Sequence, residues 1–250
     1  GDQEGPTIAM ASPVCKYAKI VRTPQDLENL LPEAFQTAVS GRPGPVWLDI
    51  PLDVQQATDV LTIKPWTEKK SLPSELLRDQ CNRIIDRLKK SDRPIILGGT
   101  GVRLAGVNDR LIQLVEKIKV PLATAWTHDL IASDHPLFAG RPGTIGTRAG
   151  NFCLQNSDFV LVLGSRLNIR QTSYNWDSFA KNAWVAQVDV DPAELRKPTF
   201  SADLSVKADL NDFLDAFEQV LIDAALPKFT KWIEWCQKIG ANYKVENEHT

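Results

Sequence analysis

The chain has 250 residues, 43% hydrophobic and 24% charged, the ordinary balance of a globular protein, and at one domain per ~100–200 residues it makes one large domain or one domain with flanking pieces. Lys and Arg number 29 against 31 Asp and Glu, for a net charge of -2; this near-balance gives no footprint for nucleic acid or an anionic membrane. No run approaches the ~18 apolar residues of a membrane span, and GDQEGPTIAM lacks the basic start and apolar stretch of a secretory signal.

The first predicted element is a helix over 24–40. Pro24 suits a first turn, Asp26 and Glu28 favour its positive end, and Leu27, Leu30, Leu31, Ala34, Phe35 and Ala38 recur at helical spacing. Gly41 ends it, GRPGP turns the chain, and Val46–Ile50 reads as a short strand stopped by Pro51. Residues 51–72 have little periodicity and read as a linker. From Pro73 the pattern alternates. A helix over 74–90 places Leu76, Leu77, Cys81, Ile84, Ile85 and Leu88 on one face, and RPIIL (93–97) is a strand running into GGTGV. A helix over 104–118, a strand PLATA (121–125), a short helix near 146–156 and a strand FVLVL (159–163) follow. The strand AWVAQV ends in DVD; a short strand over 205–208, a helix over 209–224 and a terminal helix over 227–242 complete the reading. The strands are apolar throughout rather than alternating, so both faces are covered. That is a parallel sheet between helices, a doubly wound α/β domain with an N-terminal helix–strand arm.

In an open parallel sheet, ligands bind beyond the carboxyl ends of the strands. Those ends carry Gly98-Gly99-Thr100-Gly101, Ala125-Trp126-Thr127-His128, Gly164-Ser165-Arg166 and Asp189-Val190-Asp191. Glycines allow close backbone approach, Arg166 offers a fork of donors to phosphate, and Asp189 or Asp191 can accept ribose hydroxyls. The dinucleotide fingerprint is incomplete: Leu104 stands where a third glycine belongs, and no acid closes the second strand. Nucleotide binding and plain tight turns, with Arg166 paired to a surface carboxylate, both remain open. His128 and His135 lie in the loop THDLIASDH, either as local hydrogen bonders or in a catalytic role. Cys15, Cys81, Cys153 and Cys236 are too far apart for zinc or a disulfide framework and read as neutral thiols of a reducing, cytoplasmic setting. Trp47 reads as core, and Trp232 and Trp235 as covering a hydrophobic groove. No residue stands out as a nucleophile beside a base.

Several stretches resemble the thiamine-diphosphate enzymes of the acetolactate synthase type. SGRPGPVWLDIPLDVQ (40–55) resembles the end of their pyrimidine-binding domain, and GDQEGPTIAMASPVCKYAKIV the segment before it. RPIILGGTGV, GTIGTRAGN, DFVLVLGSRLNIRQT and VDVDPAEL resemble their Rossmann-like central domain, in the family's order. The resemblance implies four segments: residues 1–55 ending the pyrimidine-binding domain, a linker at 56–72, the central domain at 73–226, and a helix and tail at 227–250 leading toward a diphosphate-binding domain. It implies a parent that decarboxylates a 2-keto acid and joins the remainder to an acceptor, using thiamine diphosphate with magnesium, in a dimer or tetramer. The family's metal-holding G-D-G run is absent from this chain, and the activating glutamate's segment would precede it. Glu4 belongs to the Q-E pair instead, and Gln3 matches a position near the active-site mouth. No catalytic residue and no metal ligand is therefore assigned.

In such enzymes the central domain is mostly structural and binds FAD, ADP, CoA or nothing. Carried over by motif, nucleotide contacts fall on Gly98, Gly99, Thr100, Ala125, Trp126, Thr127, Gly143, Thr144, Gly164, Ser165, Arg166, Leu167, Asp189, Val190, Asp191 and Asp209. FAD-binding members often read Thr-Leu-Met, Gly-Met-His and Arg-Phe-Asp-Asp. This chain has Ala125-Trp126-Thr127, Gly143-Thr144-Ile145 and Arg166-Leu167-Asn168-Ile169 in their places. The nucleotide half of the site is kept and the flavin-ring half departs. Two other readings are a free-standing nucleotide-binding or oligomerisation module without catalysis, and a sirtuin-like deacylase, which needs C-x-x-C pairs that this chain lacks.

Overall fold

The computed structural model describes residues 5–63, 74–125 and 130–244. Its contacts divide the chain into two units, Gly1–Lys70 and Ser71–Thr250.

The first unit runs α1 (Thr7–Ala11), a single 3-10 turn, β1 (Tyr17–Ile20), α2 (Asp26–Val39), β2 (Val46–Asp49) and α3 (Leu52–Gln55). β1 and β2 pair in parallel, from Tyr17 opposite Val46 to Ile20 opposite Asp49. The Asp26 carboxylate fixes the entry to α2 by accepting the Arg22 and Thr23 amides, both at 2.9 Å. Those bonds, Thr23's first, hold its pKa below the usual carboxylate range. At the other end Lys16 Nζ donates to the Thr37 carbonyl (2.5 Å) and the Ser40 carbonyl (2.8 Å), satisfying acceptors that the helix leaves open. Trp47, expected in the core, is 46% exposed. The pleat half-buries Val46 and Leu48 and turns Trp47 to the other face of a two-stranded sheet.

The second unit begins with α4 (Glu75–Leu88), capped by the Ser74 hydroxyl, which accepts the Leu77 amide. Leu77, Cys81, Ile84, Ile85 and Leu88 are buried, whereas Leu76 is exposed. At helical spacing Leu76 shares its side with Gln80 and Arg83, not with the apolar stripe. β3 (Pro94–Gly98) follows, then α5 (Thr100–Leu104), α6 (Asn108–Ile118), β4 (Leu122–Thr124), α7 (Arg148–Gln155), β5 (Phe159–Leu163) and α8 (Ile169–Thr172). The expected helix over 104–118 begins only at Asn108, because Gly106 takes φ +68° and separates it from α5. β6 (Trp184–Asp189), α9 (Pro192–Leu195), β7 (Leu204–Lys207), α10 (Leu210–Leu221) and α11 (Thr230–Asn242) complete the unit.

The five strands form one parallel sheet in the order β4-β3-β5-β6-β7. The chain goes from β3 to β4, then crosses back over β3 to lay down β5, so the order reverses between β3 and β5. Every residue of β3, β4 and β5 is buried, as expected for a doubly wound sheet covered on both faces. One backbone group depends on the last helix. Ile96 faces Leu122 and its amide bonds the Pro121 carbonyl. The next rung would bring the residue 121 amide to the Pro94 carbonyl, but Pro121 has no N–H. Trp232 supplies the missing donor: its indole Nε1 bonds the Pro94 carbonyl at 2.8 Å, with the side chain buried and stacked on Trp235. Among the described residues no helix is long and apolar enough to cross a membrane.

Candidate functional site

The carboxyl ends of the strands form one continuous edge, held by backbone hydrogen bonds. The Ala125 amide bonds the Gly98 carbonyl (2.9 Å), the Gly99 amide bonds Leu163 (2.9 Å), and the Gly101 amide bonds Gly164 (2.8 Å). The Gly164 amide bonds Val188 (3.0 Å), and the Ala208 amide bonds Asp189 (3.2 Å). Thus β4, β3, β5, β6 and β7 present Ala125, Gly98–Gly101, Gly164–Leu167, Asp189–Asp191 and Asp209 side by side. Trp126 and Thr127 lie outside the described residues, as do His128, Gln3 and Glu4.

The glycines at the reversal point have a local cause. A Cβ on Gly99 would stand 2.5 Å from the Gly164 carbonyl oxygen, and one on Gly101 would stand 2.6 Å from the Gly164 Cα. Gly164 itself takes φ +58° and would meet Gly101 at 2.6 Å. The two loops touch backbone to backbone, so only glycine fits. Their amides at Gly99 and Gly101 are occupied by this contact and are not pointed at a phosphate. Gln187, a buried polar residue inside β6, anchors the same loop by donating to the Ser165 carbonyl at 3.1 Å.

Gly143 and Thr144 join the edge through the segment after β5. The Thr144 amide and hydroxyl both bond the Arg170 carbonyl (2.8 and 3.1 Å). Gly143, at φ +142°, is held on both sides by Asn151, which accepts its amide (2.8 Å) and donates to its carbonyl (3.0 Å). Gln171 donates to the Pro142 carbonyl at 2.6 Å. Asn151, Gln171 and Gln187 were not singled out from sequence. The available signal was a lone amide inside an apolar strand or beside a glycine, which does not by itself name its partner.

Charges on the edge are mostly engaged with each other. Arg166 is half exposed, and its guanidinium lies 3.7 Å from Glu194. Glu194 also meets Lys197 at 3.3 Å, while Lys197 Nζ donates to the Leu167 carbonyl (2.9 Å) and the Arg166 carbonyl. Leu167 is buried with φ +49°, so it contributes backbone here rather than side chain. Asp191 and Asp209 act as helix caps, accepting the Ala193 and Asn211 amides at 2.8 Å each. Asp189 accepts the Asp191 amide at 2.9 Å. Among the described residues the Thr124 hydroxyl, fully buried at the end of β4, has no hydrogen-bond partner. His135 is a local hydrogen bonder: its Nδ1 accepts the Leu137 amide (3.1 Å), which puts the ring proton on Nε2, 3.2 Å from Glu116. Among the described residues no three His, Cys, Asp or Glu side chains converge as for a metal. Among the described residues the edge holds no nucleophile–base pair.

Residues 81–217 match the family model described as the central domain of thiamine pyrophosphate enzymes. The chain belongs to this family. The match runs from α4 into α10 and takes in all five strands of the second unit. A probable acetolactate synthase large subunit of Methanocaldococcus jannaschii is 30% identical over 238 residues, 93% of this chain and 40% of that protein. The large subunits of acetolactate synthase isozymes 1 and 2 of Escherichia coli are 33% and 32% identical, over 85% and 99% of this chain. The chain spans about two fifths of the length of these curated relatives. It is therefore a thiamine pyrophosphate enzyme central domain, with flanking sequence, resembling acetolactate synthase.

Proposed function

We propose that this chain is the central portion of a 2-keto-acid decarboxylase and carboligase, and that its strand-end edge holds an adenine nucleotide, FAD or ADP. The observation that carries the reading is the reversal of strand order between β3 and β5. In a doubly wound sheet the ligand crevice opens at that point, and the motif-matched residues at the ends of β3 and β5 would line it: Gly98, Gly99, Thr100, Gly164, Ser165 and Arg166. Because the glycine amides are already bonded, the phosphates would be held by the Arg166 fork rather than by the glycine loop. The Thr124 hydroxyl, unpartnered among the described residues, supplies a further polar contact in this reading, because such a buried group ordinarily has a partner. In the assembled enzyme, proposed as a homo-oligomer, residues 1–55 would close the pyrimidine-binding domain, 56–72 would link it to the central domain at 73–226, and 227–250 would lead onward.

Thiamine diphosphate, when bound in such an enzyme, supplies the bond-breaking chemistry. The residues of this chain do not fit that group: there is no G-D-G run, and among the described residues no cluster of three candidate ligands. No catalytic step is therefore placed on them.

A thermal-shift series with FAD, ADP, CoA, NAD, and thiamine diphosphate with magnesium tests the reading. A ligand that binds only the folded state raises Tm with concentration over affinity. A rise with FAD or ADP that is lost in Arg166→Ala is expected. No rise with any nucleotide reduces the domain to a spacer, and a rise with thiamine diphosphate alone overturns the domain assignment.

A further inference from the structure

Three consecutive carbonyls after β5 are held by side chains from β6 and from beyond it. Gln187 of β6 donates to the Ser165 carbonyl at 3.1 Å, and Lys197, just past α9, donates to the Arg166 carbonyl and to the Leu167 carbonyl (2.9 Å). The main chain over 165–167 is thereby fixed, with Leu167 at φ +49°. The Arg166 side chain is the part left to move. Its guanidinium is half exposed, and among the described residues it makes no hydrogen bond. Its contact with Glu194, at 3.7 Å, is an ion pair too long for one. The other Glu194 oxygen lies 3.3 Å from Lys197. One carboxylate is thus shared by two unequal cations. Lys197 is 17% exposed, and its three N–H groups face three acceptors, two carbonyls and the carboxylate. It has no donor left for a ligand. Arg166 has its whole fork.

We propose that Glu194 competes with the ligand's phosphate for Arg166, and that Lys197 is what allows it to yield. This rests on the reading of the strand-end edge as a nucleotide site. When no phosphate is bound, Glu194 keeps Arg166 at the edge through one long ion pair. A diphosphate carries more charge and several acceptor oxygens, so it takes the guanidinium by bidentate, charge-assisted hydrogen bonds. The released carboxylate then stands near the incoming phosphate, and repulsion between the two opposes binding. Lys197 limits that repulsion by retaining the carboxylate at 3.3 Å. Affinity is therefore the difference between two contacts of one arginine, and an anion too weak to displace Glu194 is kept off it. Glu194 acts through Arg166 and is a positioning residue.

The test is calorimetric titration with ADP of the 250-residue chain and of Glu194→Gln, Arg166→Ala and the double variant. Glu194→Gln removes the charge and keeps the shape and an acceptor for Lys197. It should lower the ADP Kd about two- to fivefold, the range of an ion pair with one exposed partner. In the Arg166→Ala background, where binding is expected to be lost, Glu194→Gln should restore none of it. A second readout needs no nucleotide. Modification by p-hydroxyphenylglyoxal, mapped by peptide mass, should be faster at Arg166 in Glu194→Gln than in the parent chain, and unchanged at Arg83 on α4. An ADP Kd that is unchanged or raised in Glu194→Gln would overturn the proposal and leave the nucleotide reading standing. Binding restored in the double variant would also overturn it, because the effect would then be the general field of a lost negative charge. No ADP binding in any of the four proteins would strike the nucleotide reading itself, and the proposal with it.

Discussion

In the unit Ser71–Thr250 every residue of β3, β4 and β5 is buried, whereas in Gly1–Lys70 no residue of β1 or β2 is. Both units use the same device, parallel strands joined by a helical crossover. The difference is the number of strands and covered faces. Five strands between helices enclose Phe159, Phe213 and Phe217 completely. Two strands and one long helix leave Phe35 64% exposed and Met10 72% exposed. A two-stranded sheet is marginal alone, so local hydrogen bonding shapes the first unit, while burial shapes the second.

Six substitutions, arranged in four tests, sharpen this contrast. The largest effect is expected from tryptophan. Trp232→Ala removes a buried indole and leaves the Pro94 carbonyl unpaired, costing roughly 3–5 kcal/mol. Trp47→Ala in the first unit should stay within about 1 kcal/mol. Urea midpoints followed by circular dichroism distinguish them, and equal losses would break the comparison. Next come two glycines with nearly the same backbone. Gly41 has φ +57° and open space around it; Gly164 has φ +58° and backbone atoms within 3 Å of its missing Cβ. Alanine at either position costs about 1–2 kcal/mol for the left-handed conformation. Only Gly164→Ala should add a further ~1–3 kcal/mol from overpacking, so the difference isolates the loop contact.

A smaller effect is expected at Arg110. It joins α6 to α10 through Glu218 (2.9 and 3.0 Å) and Asp215 (2.7 Å). These side chains are 29% to 51% exposed, so Arg110→Ala should cost only ~0.5–1 kcal/mol, and less at high salt. The smallest is a pH effect confined to the first unit. The Asp26 pKa is lowered on folding, so its contribution is complete above the unfolded value and is lost as pH falls through the folded one. Asp26→Asn should flatten the acid limb of hydrogen exchange across 22–39. An unchanged acid limb would remove Asp26 from the account of how α2 begins.

The alternation of apolar runs with helical stripes was sufficient to read the sheet, because burial on both faces writes itself into FVLVL and PIIL. β1 was not readable: YAKI carries a lysine and no two-fold pattern, and it pairs only because β2 lies alongside. The strand-end glycines were readable as places of close approach, but not what approaches. Sequence suggested a ligand; the structure shows that Gly99, Gly101 and Gly164 meet one another. Asn151, Gln171 and Gln187 were not readable because their partners are backbone groups 8, 29 and 22 positions away, which no local motif encodes.

The bond from Trp232 to Pro94 spans 138 positions, and this orders events in time. During synthesis at ~5–20 residues per second, β3 emerges long before α11, with one carbonyl that neither neighbouring strand can satisfy. All five strands can pair beforehand, yet β3 is finished only when α11 arrives. A ribosome-bound chain stopped after α10 would carry every strand of the sheet and still wait for its closing donor.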